Sequence, residues 1–75
     1  MQIITPFEVA DQLKRGGEAF CCLPALGGEV RVLSINTKDR TIQVNCDVFS
    51  WCEVRGLFYT YNRIYPKKLN KKTKT

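Results

Sequence analysis

Histidine is absent from the 75 residues, and tryptophan and proline are scarce, with one and three copies. Without histidine, the chain lacks the side chain that enzymes most often use as a general acid or base. It also has no glycine-rich phosphate loop, no nucleophile motif and no pair of carboxylates at a catalytic spacing. We therefore expect no catalytic residues and predict that the protein is not an enzyme.

A long apolar run is also missing, since no stretch approaches the roughly 18 residues that a membrane-spanning helix needs. The first residues, MQIITPF, have neither the basic start nor the apolar stretch of a secretory signal. These absences favour a cytoplasmic protein. We expect neither a membrane nor a small-molecule substrate among its partners.

The four cysteines are the remaining candidates for a metal site, because zinc is otherwise bound by histidine. Cys21 and Cys22 are adjacent and would point to opposite faces of a strand, and Cys46 and Cys52 are six positions apart. Structural zinc sites favour thiolates about two to four residues apart. We therefore expect no metal and no other cofactor, and interpret the cysteines as structural or incidental thiols.

The clearest local pattern is ITPFEVADQLKRGG near the start of the chain. Thr5 and Glu8 have the spacing of a capping box, and Pro6 falls at the first helical position. The basic pair and the two glycines that follow suit the end of a helix. The sequence predicts a helix over residues 6–15 with one apolar side packed on the rest of the domain. That side comprises Phe7, Val9, Ala10 and Leu13.

Residues 18–65 have the alternation and turn residues of short strands. The predicted strands are a short one that ends in a turn within EAFCCLPALGG, followed by EVRVLSI, TIQVNCDVF, WCEV and GLFYTYNRIY. In the third, Ile42, Val44, Cys46 and Val48 share one face. We expect a mainly β (α+β) fold, in which the N-terminal helix precedes a small, strongly bent, four- or five-stranded antiparallel barrel. Residues 1–66 would form a single compact domain, and residues 67–75 a disordered basic tail.

The segments GGEVRVLSI and TIQVNC, joined by a loop, resemble the opening hairpin of the Src-homology-3-like small β-barrels, including the Tudor and KOW types. The resemblance covers roughly residues 27–65 and rests on strand rhythm. It implies a barrel whose loops and exposed aromatic residues bind peptides, modified residues or nucleic acid. It assigns no role to an individual residue.

Positive charge is concentrated at the C-terminal end. Residues 63–75 hold six basic and no acidic side chains, whereas residues 1–62 hold six basic and seven acidic ones. A folded domain that binds nucleic acid usually carries its basic patch on the domain itself. The charge distribution therefore weakens the case for nucleic-acid binding by the folded part.

The stretch FYTYNRIYPKKLNKK nevertheless favours nucleic acid as the partner. In a strand, its tyrosines and arginine lie on one face, where rings stack on bases and cations neutralise phosphates. The leading hypothesis is a non-catalytic protein that associates with RNA or DNA through this strand and the lysines after it. The candidate residues are Tyr59, Tyr61, Arg63, Tyr65, Lys67, Lys68, Lys71 and Lys72. The same alternation also suits packing, so we expect at least one of the tyrosines in the core.

The alternative is a protein-interaction module, an adaptor or inhibitor of a host protein of the kind that bacteriophages and mobile elements encode. Phe49 and Trp51, near a predicted loop, would then bind the partner together with the tyrosine strand. Trp51 could instead close one end of the core. The near-neutral folded part favours a protein partner, whereas the tyrosines and lysines favour nucleic acid.

Overall fold

The computed structural model describes residues 1–64 of the chain. This part contains one α-helix and seven strands. The fold is mainly β (α+β). The elements are β1 (Gln2–Ile4), α1 (Pro6–Lys14), β2 (Phe20–Leu23), β3 (Gly28–Arg31), β4 (Ser34–Asn36), β5 (Thr41–Val44), β6 (Asp47–Ser50) and β7 (Arg55–Thr60), with short 3-10 turns at Pro24–Leu26 and Trp51–Glu53. Within residues 1–64, no helix is long and apolar enough to cross a bilayer.

The strands form two antiparallel sheets. The first has four strands in the order β1-β7-β2-β3, and the second has three in the order β4-β5-β6. In the first sheet Tyr59 is the partner of both Ile3 and Phe20, and Phe20 is also the partner of Arg31. These four residues therefore form one row that crosses all four strands.

The expected strand count was wrong, and the described residues form no closed or curled barrel. The main reason is that two predicted strands are each broken. EVRVLSI divides at Val32 and Leu33, so that β3 and β4 belong to different sheets. The segment GGEVRVLSI is therefore not one continuous strand.

TIQVNCDVF is also not one strand, because it reverses direction between Val44 and Asp47 to form the β5–β6 hairpin. Asn45 has a φ of 55°, a left-handed conformation that asparagine tolerates in tight hairpin turns. Cys46 and Val48 are consequently exposed instead of sharing the buried face of Ile42 and Val44. The predicted strand WCEV is a 3-10 turn, in which Ser50 and Glu53 cap each other's backbone amides.

The predicted helix is confirmed, together with its capping box. The amide of Glu8 donates to Thr5 Oγ1 at 3.1 Å, and the amide of Thr5 donates to Glu8 Oε1 at 2.8 Å. Val9 is fully buried, as predicted. Phe7 is 71% exposed, so the prediction that Phe7 packs on the rest of the domain was wrong. At about 100° per residue, Phe7 lies roughly 200° around the helix from Val9 and faces away from the core.

Both sheets and the helix share a single core. Its members come from β1, α1, β2, β5, β7 and two loops: Ile4, Val9, Ala19, Cys21, Leu23, Val32, Ile42, Val44 and Phe58. Six further apolar side chains pack against this core while staying partly exposed, Phe49 and Trp51 among them. The core therefore joins the two sheets into one unit.

One polar side chain, that of Gln12, lies at the inner side of α1 and is only 2% exposed. Its Nε2 donates to the carbonyl of Glu18 at 3.2 Å, to Thr60 Oγ1 at 3.3 Å and to the carbonyl of Asn62 at 2.8 Å. Its Oε1 accepts from the amide of Ile64 at 2.9 Å. We call this set of contacts the Gln12 cluster: Gln12, Glu18, Thr60, Asn62 and Ile64. It connects the chain that follows β7 to the helix and to the loop before β2.

Candidate interaction face

The outer surface of the four-stranded sheet carries apolar and aromatic side chains on three adjacent strands. Side chains alternate along β7, so Phe58 and Thr60 are buried and their neighbours point outward. The predicted division of this strand is therefore confirmed for residues 57–61. We call the outward set the aromatic face: Ile3, Phe20, Leu57, Tyr59 and Tyr61.

Three rings of the aromatic face touch one another. The Phe20 centroid lies 6.1 Å from that of Tyr59 and 5.3 Å from that of Tyr61, and the two tyrosine centroids are 5.7 Å apart. These separations are typical of favourable aromatic pairs. Tyr59 is half-buried and Tyr61 is exposed, so neither is a core residue, and the third tyrosine, Tyr65, lies outside the described residues. The rings thus form a fixed surface patch.

Glu29 of β3 accepts a hydrogen bond from each of the two tyrosine hydroxyls. Tyr59 and Tyr61 each donate to Glu29 Oε2 at 2.5 Å, so the two side chains reach over β2 to the edge strand. These hydrogen bonds stabilise the carboxylate and lower the pKa of Glu29. The pKa of Tyr59 is raised by burial and then by Glu29, and that of Tyr61 is raised first by its hydrogen bond to Glu29.

Arg63 lies apart from this network, because β7 ends at Thr60. Its guanidinium forms an ion pair with Glu8 Oε2 at the first turn of α1. The pKa of Glu8 is lowered, chiefly by the hydrogen bond from the Thr5 amide and further by Arg63. The structure therefore brings together Tyr59 and Tyr61 but not Arg63. The other predicted nucleic-acid contacts lie outside the described residues: Tyr65, Lys67, Lys68, Lys71 and Lys72.

Phe49 and Trp51, the predicted contacts for a protein partner, are partly buried against the core. The indole Nε1 of Trp51 donates to the Thr41 carbonyl at 3.2 Å, and its ring meets the Phe58 ring edge-on at 6.3 Å. This corresponds to the interpretation in which Trp51 closes one end of the core. A groove of about 380 Å³ separates Trp51 from the start of α1, and Ile3 and Leu57 of the aromatic face form part of its wall.

The cysteines differ in their surroundings. Cys21 is in the core, and burial, followed by the neighbouring Cys22, raises its pKa to about 11. A thiol with so high a pKa is a poor nucleophile at neutral pH. Cys46 and Cys52 are exposed, so only Cys21 fits the description of a small core residue. Within residues 1–64, no three His, Cys, Asp or Glu side chains are grouped to hold a metal ion.

Three members of this site, Ile3, Phe20 and Glu29, were missed from the sequence. Alternation places Phe20 opposite the buried positions of FCCL and Glu29 opposite the partly buried positions of GEVR, so their outward direction could have been found. Their closeness to the tyrosines could not, because β2 is separated from β7 by more than thirty residues of chain. β1, which contributes Ile3, has only three residues and shows no usable alternation.

The Glu29 network predicts distinct titrations for the two tyrosines. In a Tyr65→Phe background, both should ionise above the usual pH of about 10, because their neutral forms are stabilised. Glu29→Gln should bring the pKa of Tyr61 back towards 10, while Tyr59 stays higher because burial is its main cause. The interactions that raise the pKa values of Tyr59 and Tyr61 stabilise the folded protein fully below pH 10. This stabilisation is lost as the pH rises through the pKa values of the folded state. Tyrosinate absorbance, with circular dichroism to confirm folding, tests this, and unchanged titration of both in Glu29→Gln would contradict it.

Comparison of the chain with protein-family models, with curated proteins and with solved structures finds no match.

Proposed function

We propose that the chain is a non-catalytic protein-interaction module that binds a partner protein through the aromatic face. The observation that supports this most is the apolar surface shared by adjacent strands, where Ile3 is 49% and Leu57 65% exposed beside the three-ring patch. Contiguous exposed apolar surface marks interaction sites on small domains. Tyrosine is also enriched among the residues that dominate binding energy at such sites.

Charge favours a protein over nucleic acid as the partner of this face. Residues 1–64 contain seven basic and seven acidic side chains, so this part of the chain has no net charge. The Glu29 carboxylate lies at the tyrosine hydroxyls, where it would repel a phosphate. Arg63, the cation expected beside the tyrosines, is paired with Glu8 instead.

Association with nucleic acid is retained as a second candidate for the lysine-rich end, acting without the aromatic face. Five lysines between residues 67 and 74, with no acidic residue among them, favour it. Such binding weakens as salt rises, by a slope of roughly −0.7 per phosphate contact on single strands. Deletion of residues 67–75 would then flatten the salt dependence measured with labelled single-stranded RNA or DNA.

The protein-interaction proposal predicts that Leu57→Asp strongly weakens partner binding while Val48→Asp does not. Both side chains are 65% exposed, but Val48 lies on β6 in the other sheet, so the pair separates loss of the face from a general effect of added charge. A carboxylate in the apolar patch must be desolvated on binding, and we expect at least about tenfold weaker association. Quantitative affinity capture from the native host, with and without nuclease, measures this.

Two outcomes would overturn the proposal. In one, Leu57→Asp retains the same captured proteins as the wild type. In the other, nuclease treatment releases them from the wild-type protein, which would favour the second candidate. Circular dichroism of both variants controls for folding.

A further inference from the structure

The Glu29 carboxylate accepts two hydrogen bonds but forms no ion pair within residues 1–64. Glu8, Asp11 and Glu18 each pair with an arginine, whereas Glu29 has no cationic partner within residues 1–64. Its Oε2 accepts hydrogen bonds from the neutral hydroxyls of Tyr59 and Tyr61, and no described residue donates a hydrogen bond to its Oε1. The two hydrogen bonds therefore fix the direction of the carboxylate, and no cation from residues 1–64 pairs with it.

The two arginines on the same side of the sheet form no ion pair with Glu29. Arg31, two positions along β3, pairs with Glu18 at 3.4 Å. Arg55 faces Cys22, which is also the strand partner of Glu29, yet it forms no ion pair among the described residues. Within residues 1–64, Glu29 is therefore a carboxylate without an ion pair, and it lies next to the rings of Tyr59 and Tyr61.

We propose that this carboxylate binds an arginine side chain of the protein partner, a step that rests on the proposed function. A guanidinium is planar, so it can stack on the exposed rings while its N–H groups donate to the Glu29 carboxylate. Charge-assisted hydrogen bonds to a carboxylate are among the stronger ones that proteins form. The apolar members of the aromatic face would contact side chains that flank the arginine. An ammonium group would bond the carboxylate but could not stack in the same way.

The probe for this site is N-acetyl-arginine amide, with N-acetyl-citrulline amide as its uncharged isostere. Titration followed by ¹H–¹⁵N NMR should give saturable shifts at the amides of Glu29, Tyr59 and Tyr61 with the arginine compound. The citrulline compound should bind at least about tenfold more weakly, because it lacks the charge. Equal binding of the two compounds, or shifts confined to other residues, would overturn the inference.

Variants separate Glu29 from negative charge in general. Glu29→Gln should weaken binding of the arginine compound at least about tenfold, whereas Asp47→Asn should leave it unchanged. Asp47 is an exposed carboxylate on β6 that also has no ion pair within residues 1–64, so it is a matched control. Equal loss in both variants would show binding to overall charge and refute a site at Glu29.

The two proposals fail in different ways. If Leu57→Asp loses the partner but the arginine compound does not bind, the face is an interface without an arginine site. If the compound binds at Glu29 but Leu57→Asp keeps the partner, the cation site exists and the proposed interface is wrong.

Discussion

Replacing Gln12 with leucine is expected to lower the free energy of unfolding by about 3 to 5 kcal/mol, because each buried polar group left without a partner costs about 1–3 kcal/mol. The leucine would fill a similar volume but would leave the Asn62 carbonyl and the Ile64 amide without this partner. The Glu18 carbonyl would keep its hydrogen bond from Thr60 Oγ1 at 2.7 Å. A domain of this size has a total stability on the order of 4 to 11 kcal/mol. The substitution therefore threatens folding itself.

Urea unfolding followed by the fluorescence of Trp51, the single tryptophan, measures this effect. Gln43→Leu is the control, because Gln43 is exposed and its hydrogen bonds are long, at 3.4 and 3.5 Å. We expect it to change stability by no more than about 0.5 kcal/mol. A Gln12→Leu protein as stable as the wild type would show that the Gln12 cluster does not hold the fold together.

Local features of the fold were predictable from the sequence, and α1 is the clearest example. Its capping box and Pro6 act within one turn, so the residues that determine the start of the helix are neighbours in the chain. The same sequence pattern did not indicate that Gln12 is buried, because a glutamine inside a helix usually faces solvent. Its partners Thr60, Asn62 and Ile64 are about fifty residues away, so only the tertiary fold reveals why it is buried.

The strands show the same limit. EVRVLSI has β-branched residues throughout, and nothing in its composition says that β3 and β4 would join different sheets. Alternation in β7 did predict that Leu57, Tyr59 and Tyr61 share a face. What it could not predict is that β2 and β3 lie beside them and supply Phe20 and Glu29, which decide the chemistry of the face.

Two side chains of α1 bind residues 62–64, the segment that follows Tyr61. Gln12 binds the backbone of Asn62 and Ile64, and Glu8 pairs with Arg63 between them. Tyr61 lies beyond the last residue of β7, so the sheet alone does not fix its position. The helix therefore stabilises the fold and, through the same contacts, sets the position from which Tyr61 reaches Phe20 and Glu29.

Gly17→Ala is expected to cost about 1 to 3 kcal/mol through overpacking, the second largest effect on stability that we predict. A methyl group at this position would lie 2.5 Å from Gln12 Nε2, 2.7 Å from Gln12 Cδ and 3.0 Å from Ile64 Cδ1. The Gln12 amide cannot simply rotate away, because doing so would break its hydrogen bonds to Glu18 and Asn62. The cost should therefore depend on Gln12.

A double-mutant cycle tests that dependence. Once Gln12→Ala has removed the amide, Gly17→Ala should cost little more than its contact with Ile64 imposes, giving a coupling energy of at least about 1 kcal/mol. All four proteins are compared by urea unfolding in the same concentration of a stabilising osmolyte, so that the weakest of them is still folded at the start. Additive costs, within about 0.5 kcal/mol, would show that the methyl group and the Gln12 amide do not compete for the same space.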